Sequence, residues 1–203
     1  SCGSLFYLYG VTGSGKTEVY FRIAEEALKN GGSVIYLVPE IALTHQLTEY
    51  VTERFGKNLA VIHSALTPSQ KLKQWRKIQR EEAKVILGAR SAVFAPVKNL
   101  ALIIIDEEHE ASYKSGSTPR YHARQVAMHR IKLSGGKLIM GSATPSVEAC
   151  HLMNRGKIEK IELKEVAAGG SFAPVKIVDM NSETSAISSY LQQQIRETAS
   201  EKG

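Results

Sequence analysis

Two short stretches carry residue types that could do chemistry. The first is GVTGSGKT at 10–17, with Gly10, Gly15, Lys16 and Thr17 in the order G-x-x-x-x-G-K-[ST]. Glycines there allow backbone N–H groups of Val11, Thr12, Gly13 and Ser14 to turn inward around phosphate oxygens. Lys16 is placed to meet the β- and γ-phosphates, and the Thr17 hydroxyl to bind Mg²⁺. A glycine-rich turn beside a chance lysine is the plain alternative. It arises in roughly one chain in a hundred of this length on average composition, so nucleotide binding is the stronger reading. The second stretch is DEEH at 106–109, straight after the apolar run LALIIID. Asp106 stands where a phosphate-loop protein carries its second Mg²⁺-binding acid. Glu107 can orient or deprotonate an attacking water. A solvated acidic loop is the plain alternative here, and the phosphate loop upstream argues against it.

Both stretches need elements that hold them. Apolar runs at 5–9, 33–39, 59–63, 84–88, 100–106 and 137–143 read as strands. Helical periods fall between them at 17–32, 43–56, 67–83 and 123–136. Thr67 is the expected N-cap of the third helix, Pro68 its first residue, and Leu72, Trp75 and Ile78 its inner face. Strands apolar on both faces and alternating with helices predict an α/β fold, a mostly parallel sheet covered by helices on both faces. Ligands of such sheets sit at the carboxyl ends of the strands, which is where the loop and the acids fall. Residues 157–163 suggest a further strand, 164–174 a linker, 175–180 another strand and 189–203 a final helix. The expected division is 1–165 as one ATP-binding lobe and 166–203 as linker, strand and helix leading toward a second.

Composition bounds the partners. The 203 residues carry a net charge of +6 and are 43% hydrophobic, so a packed core is expected and an acidic partner favoured. Two isolated cysteines, Cys2 and Cys150, offer neither a disulfide framework nor a zinc site, and fit a reduced cytoplasmic setting. His45, His63, His129 and His151 have no metal-ligand spacing. No apolar run is long enough to span a membrane, and no signal peptide precedes the first strand. Lys71, Lys73, Arg76, Lys77 and Arg80 share one helix and read as its solvated face. Tyr7, Tyr9 and Tyr36 read as packing residues.

GSGKT, DEEH and GSAT occur in that order and resemble motifs I, II and III of the superfamily 2 helicases, with DEEH a DExH box. Longer stretches are similar to the PriA family of primosomal replication-restart helicases: LYGVTGSGKTEVY, LVPEIALTHQ, IHSALTPSQKLKQW, ILGARSAVFAPVKNLALIIIDEEHEASYK, PRYHARQVA, GSATPSVEA and VKIVDM. The resemblance covers most of residues 5–150 and implies a RecA-like phosphate-loop lobe, ATP and Mg²⁺ as cofactors, and hydrolysis coupled to DNA. It implies coupling roles for His109, Ser142 and Thr144. Thr44, Gln46, Arg90 and Ser91 would touch the DNA backbone, with capping and plain surface as equal alternatives.

The stretch SYKSGSTPRYHAR at 112–124 resembles the aromatic-rich loop that follows motif II in PriA and RecQ-type helicases. It implies base stacking on Tyr113 or Tyr121 and phosphate contacts from Lys114, Arg120 and Arg124. The family further implies 3′ to 5′ movement, single-stranded and forked DNA as substrates, and primosome proteins as partners. Its amino-terminal DNA-binding region, its zinc-binding cysteine module and its second lobe are expected outside these residues, so the isolated chain is expected to hydrolyse ATP poorly. Two other readings stay open: a different superfamily 2 translocase, and, from a different enzyme class, a phosphate-loop kinase or small-molecule ATPase. A non-catalytic nucleotide-gated binding module is the third.

Overall fold

The computed structural model describes residues 4–165, 176–183 and 185–201. The chain divides into two compact units, Ser1–Gly169 and Gly170–Gly203. The first unit holds β1 (Leu5–Gly10), α1 (Lys16–Lys29), β2 (Ser33–Leu37), α2 (His45–Phe55), β3 (Leu59–Ile62) and α3 (Pro68–Gln79). It continues through β4 (Val85–Gly88), β5 (Leu100–Asp106), α4 (Ala123–Ser134), β6 (Lys137–Ser142), α5 (Val147–Asn154) and β7 (Glu159–Leu163). Every strand pairing is parallel, in the spatial order β3-β4-β2-β5-β6-β1-β7.

Alternation along each strand sends side chains to two cores. Ile103 and Ile105 of β5, with Ile35 and Leu37 of β2, face Ile78 of α3, Ala127 and Ile131 of α4 and Ala149 of α5. Leu102 and Ile104, with Val34 and Tyr36, face Tyr20 and Phe21 of α1 and Val51 and Phe55 of α2. Both faces of the central strands are dry, which is why their sequences run apolar without alternation. The edge strand β7 is mostly exposed, and its sequence EKIEL accordingly carries three charged residues.

Local signals set the ends. Thr67 and Gln70 form a reciprocal capping box at the start of α3, with Pro68 in the first turn. Gly135 ends α4 in the left-handed conformation at φ 73°. Two expectations need correction. Leu72, expected on the inner face of α3, is 51% exposed, because Ile78, Lys71, Trp75 and Gln74 take the inward positions. The expected strand at 175–180 is not formed among its described residues: 176–179 have no regular structure, and Met180–Ser182 is a short 3-10 helix. Most of the expected linker, 166–174, lies outside the described residues. In the second unit, α6 (Ser189–Glu201) forms where the final helix was expected.

Candidate functional site

The loop between β1 and α1 is shaped by its glycines. Gly13 and Gly15 have φ of 80° and 85°, a region costly for side chains with a Cβ. A Cβ on Gly10 would stand 2.5 Å from Ser14 Oγ and 3.1 Å from Leu163 Cβ, so both side chains would have to give way. Gly15 gives α1 no side-chain cap, which leaves the helix's leading N–H groups uncommitted and its positive end bare. Ser14 Oγ is buried without a hydrogen-bond partner. Lys16 is buried to 8% exposure, and its Nζ donates to Gly10 O at 2.9 Å and Val11 O at 3.3 Å. Uncommitted N–H groups, an orphaned hydroxyl and a sequestered ammonium with no carboxylate partner form a donor set that fits a polyphosphate. Val11 and Thr17 are half-buried beside it, and Thr12 is exposed.

The acids lie at the carboxyl end of β5. Asp106 accepts Tyr36 Oη–H at 3.2 Å and the Glu107 N–H at 3.0 Å. Burial raises its carboxyl to about 6, Glu107 beside it adds to the rise, and Lys16 is near enough to oppose it. A hard divalent cation would relieve that desolvation, so the Asp106 and Thr17 oxygens fit Mg²⁺. Glu107 adopts φ 46°, rare for a residue with a side chain. That backbone swing sends Glu107 toward Ser142, whose Oγ donates to Glu107 Oε2 at 3.1 Å. Ser142 Oγ also meets His109 Nδ1 at 2.7 Å and accepts the Thr144 N–H at 2.9 Å. Thr144 Oγ1 stands 3.4 Å from His109 Nδ1. Residues named from separate motifs therefore form one connected polar path.

Glu108 carries a network that sequence reasoning missed. It is 2% exposed and accepts from Tyr7 Oη at 3.3 Å, Ser146 Oγ at 2.9 Å and Ser146 N at 3.4 Å. It also pairs with Arg124 Nη1, which donates in turn to Ser146 Oγ at 2.8 Å. The third acid of DEEH thereby ties β1, α4 and the start of α5 together. Its only signal in sequence was an acid between Glu107 and His109, and Tyr7 and Tyr36 looked like packing residues although each uses a hydroxyl here.

Residues 114–122 form a small hairpin. Lys114 bridges His122 antiparallel, Ser115 N–H donates to Tyr121 O at 2.8 Å, and Ser115 Oγ to Ser117 O at 2.9 Å. The expected contact residues divide here. Lys114 and Arg120 are exposed and Tyr121 is half-buried. Tyr113 is 1% exposed, within the core, and its hydroxyl donates to Asp106 O at 2.6 Å, so stacking of a base on it is excluded. Arg124 is 7% exposed and committed to Glu108 and Ser146, so a phosphate contact is excluded too. Burial of the acids made both residues structural. Tyr121 instead packs edge-on against Phe94, with centroids 4.9 Å apart, and Phe94 is 47% exposed.

Arg90 Nη1 donates to Ser112 O at 3.1 Å and Lys114 O at 2.8 Å, and its guanidinium lies over the Tyr121 ring. From α4, Arg130 donates back to Val93 O and to Ala95 O at 3.0 Å. Arg90 thus clamps the start of the hairpin, and Arg130 clamps the 93–95 segment next to Arg90 to α4. Thr44 caps α2 by accepting Leu47 N–H at 3.2 Å, while Gln46 and Ser91 are exposed with no contact to the acids. Among the described residues no group of histidine, cysteine and acidic side chains could hold a metal by itself. No described helix is long and apolar enough to cross a membrane.

Comparison with known proteins bears on this arrangement. The family described as DEAD/DEAH box helicase matches residues 3–152. The chain is 55% identical over 193 residues to the replication restart protein PriA of Treponema pallidum (strain Nichols), covering 95% of this chain and 29% of that protein. It is 46% identical over 179 residues to the PriA of Bacillus subtilis (strain 168), covering 88% and 22%. The chain thus spans under a third of the length of these relatives. Among solved structures, RecG bound to a three-way DNA junction superposes with a TM-score of 0.58 at 24% identity, over 82% of this chain and 21% of that one. The Pyrococcus furiosus Hef helicase domain gives 0.56 at 24%, over 81% and 36%. Those structures share the fold.

Proposed function

This chain belongs to the DEAD/DEAH box helicase family, and on that premise we propose that it is the first ATP-binding lobe of a DNA helicase that restarts replication at stalled forks. Residues 1–165 form the lobe in this reading, and 166–203 lead toward a second lobe. The observation that carries it is the path Glu107–Ser142–His109–Thr144 beside the Lys16 loop. It joins the acid that handles water to residues that a DNA-responsive motor needs to sense hydrolysis. The PriA relatives supply the fork-restart context, with 3′ to 5′ movement, primosome partners and a cytoplasmic setting as parts of the proposal.

Mg²⁺–ATP, when bound, supplies the scissile phosphoanhydride and a metal that gathers its charge. The α1 N–H groups and the loop backbone bind the phosphates, and Lys16 exchanges Gly10 O and Val11 O for phosphate oxygens. Thr17 and Asp106 would hold the metal, which would gather phosphate charge there. Glu107 Oε2 accepts a proton from the attacking water, and Ser142 Oγ–H orients that carboxylate. His109 and Thr144 shift with Ser142 as Glu107 changes partners. Lys114, Arg120 and Tyr121 offer the hairpin to single-stranded DNA, with Thr44, Gln46, Arg90 and Ser91 as further backbone contacts.

Titration of this chain with Mg²⁺–ATP tests the site. Lys16→Ala loses binding, and Glu107→Gln keeps it. In a protein of the relatives' full length, Glu107→Gln loses single-strand-stimulated turnover. Turnover that is indifferent to DNA, or phosphate passed to a small molecule, sinks the helicase reading.

A further inference from the structure

Helix α3 carries a basic face that the site above does not use. Lys73, Arg76 and Arg80 recur at intervals of three and four residues, so they lie in one stripe, and all three are exposed. With Ser69 and Leu72 they line a groove of 630 Å³. The helix PSQKLKQWRKIQ contains no acid. Lys73 is therefore flanked by like charges at Arg76 and Lys77, and Arg76 by Arg80, arrangements that disfavour a helix. The helix dipole offsets the last turn only, and Lys73 lies too far from it to benefit. Among the described residues the stripe's one ion pair is Arg80 with Glu82, at 3.8 Å with both side chains more than half exposed. Lys77 is drawn away to Leu59 O at 2.6 Å and is not part of the stripe.

Among the described residues no aromatic side chain lines this groove, and Trp75 of the same helix is half-buried on another side. Surfaces that take single strands interleave cations with exposed rings on which bases stack. The hairpin does so with Tyr121 and the neighbouring Phe94, and α3 does not. A cationic stripe without rings suits a polyanion whose bases are already stacked inside. We propose that the Lys73–Arg76–Arg80 face of α3 binds the phosphate backbone of duplex DNA without reading its sequence. Seven residues of helix rise span roughly 10 Å, the length of about three base pairs. The proposal builds on the DNA reading above, but the surface is separate: α3 packs on edge strand β3, while the hairpin follows the carboxyl end of central β5.

The test is fluorescence anisotropy of this chain with a blunt duplex and with a single strand of the same length, across a salt series. Lys73→Ala/Arg76→Ala/Arg80→Ala is compared with Lys114→Ala/Arg120→Ala, and circular dichroism checks that both fold. Loss of three phosphate contacts lowers the duplex salt slope by about 2.7. Between 50 and 200 mM salt the wild type then loses about 40-fold more duplex affinity than the α3 triple variant. Arg76→Lys/Arg80→Lys, which keeps the charge, keeps the slope. Single-strand affinity of the triple variant stays within twofold of wild type. An unchanged duplex slope in the folded triple variant overturns the proposal. So does an equal loss of both DNA forms, or stripe-dependent binding of polyglutamate without any binding of duplex. A hairpin variant that still binds single strands overturns the hairpin reading and leaves the α3 result standing.

Discussion

Asp106→Asn should make the metal-free chain more stable while disabling it. The carboxyl is lifted from its ordinary 3.8 to about 6, mainly by burial at the end of β5 and then by the neighbouring Glu107 charge. Between those two values the folded state holds a proton that the unfolded state has released, so stability falls as pH rises from about 4 to about 6 and is level above it. At 1.36 kcal/mol per pH unit the loss is about 3 kcal/mol. Asparagine keeps the shape, still accepts the Glu107 N–H, and faces Tyr36 Oη, which can accept from its amide. Urea melts in EDTA at half-unit steps from pH 4 to pH 8 check this. The two chains should match near pH 4, and the variant should gain about 3 kcal/mol by pH 7, or roughly 6–12 °C in Tm for a chain of this size. With Mg²⁺–ATP present the order reverses, because only the wild type offers the carboxylate. A difference that does not change with pH, or a wild type more stable at pH 8 in EDTA, would refute the reasoning.

Three further outcomes follow from the same geometry. Arg124→Met strips the buried Glu108 carboxylate of its cation and costs about 3–5 kcal/mol in denaturant melts; adding Glu108→Gln recovers much of it, and a double-mutant cycle showing no coupling would count against the network. Glu107→Gly relieves the φ of 46° and raises stability by about 1 kcal/mol, with turnover lost, as parallel melts and ATPase assays on the full-length protein should show. Tyr113→Phe removes the bond to Asp106 O and costs about 1 kcal/mol without changing single-strand affinity, whereas Tyr121→Ala weakens that affinity by anisotropy.

Much was determined by the sequence alone, because it depends on neighbours in the chain. The first six strands, the four helices between them and the α3 capping box follow from periodicity and local capping chemistry. The phosphate loop follows from glycine conformations and one lysine, all within 10–17. Asp106 at a strand's end and Ser142 at the end of β6 follow from parallel strands ending together at one edge of the sheet. Tertiary structure alone decided which polar side chains are spent inside. Tyr113 and Arg124 have the composition of a DNA-binding loop, yet Asp106 O and Glu108 claim them. Burying an acid requires donors from wherever the fold brings them, and the partners lie 16, 38 and 101 residues away. No local pattern records such distances. Leu72 was misplaced for a related reason: on α3 the choice of inner face was settled by what β3 and its neighbours could pack, and the basic stripe was turned outward with it.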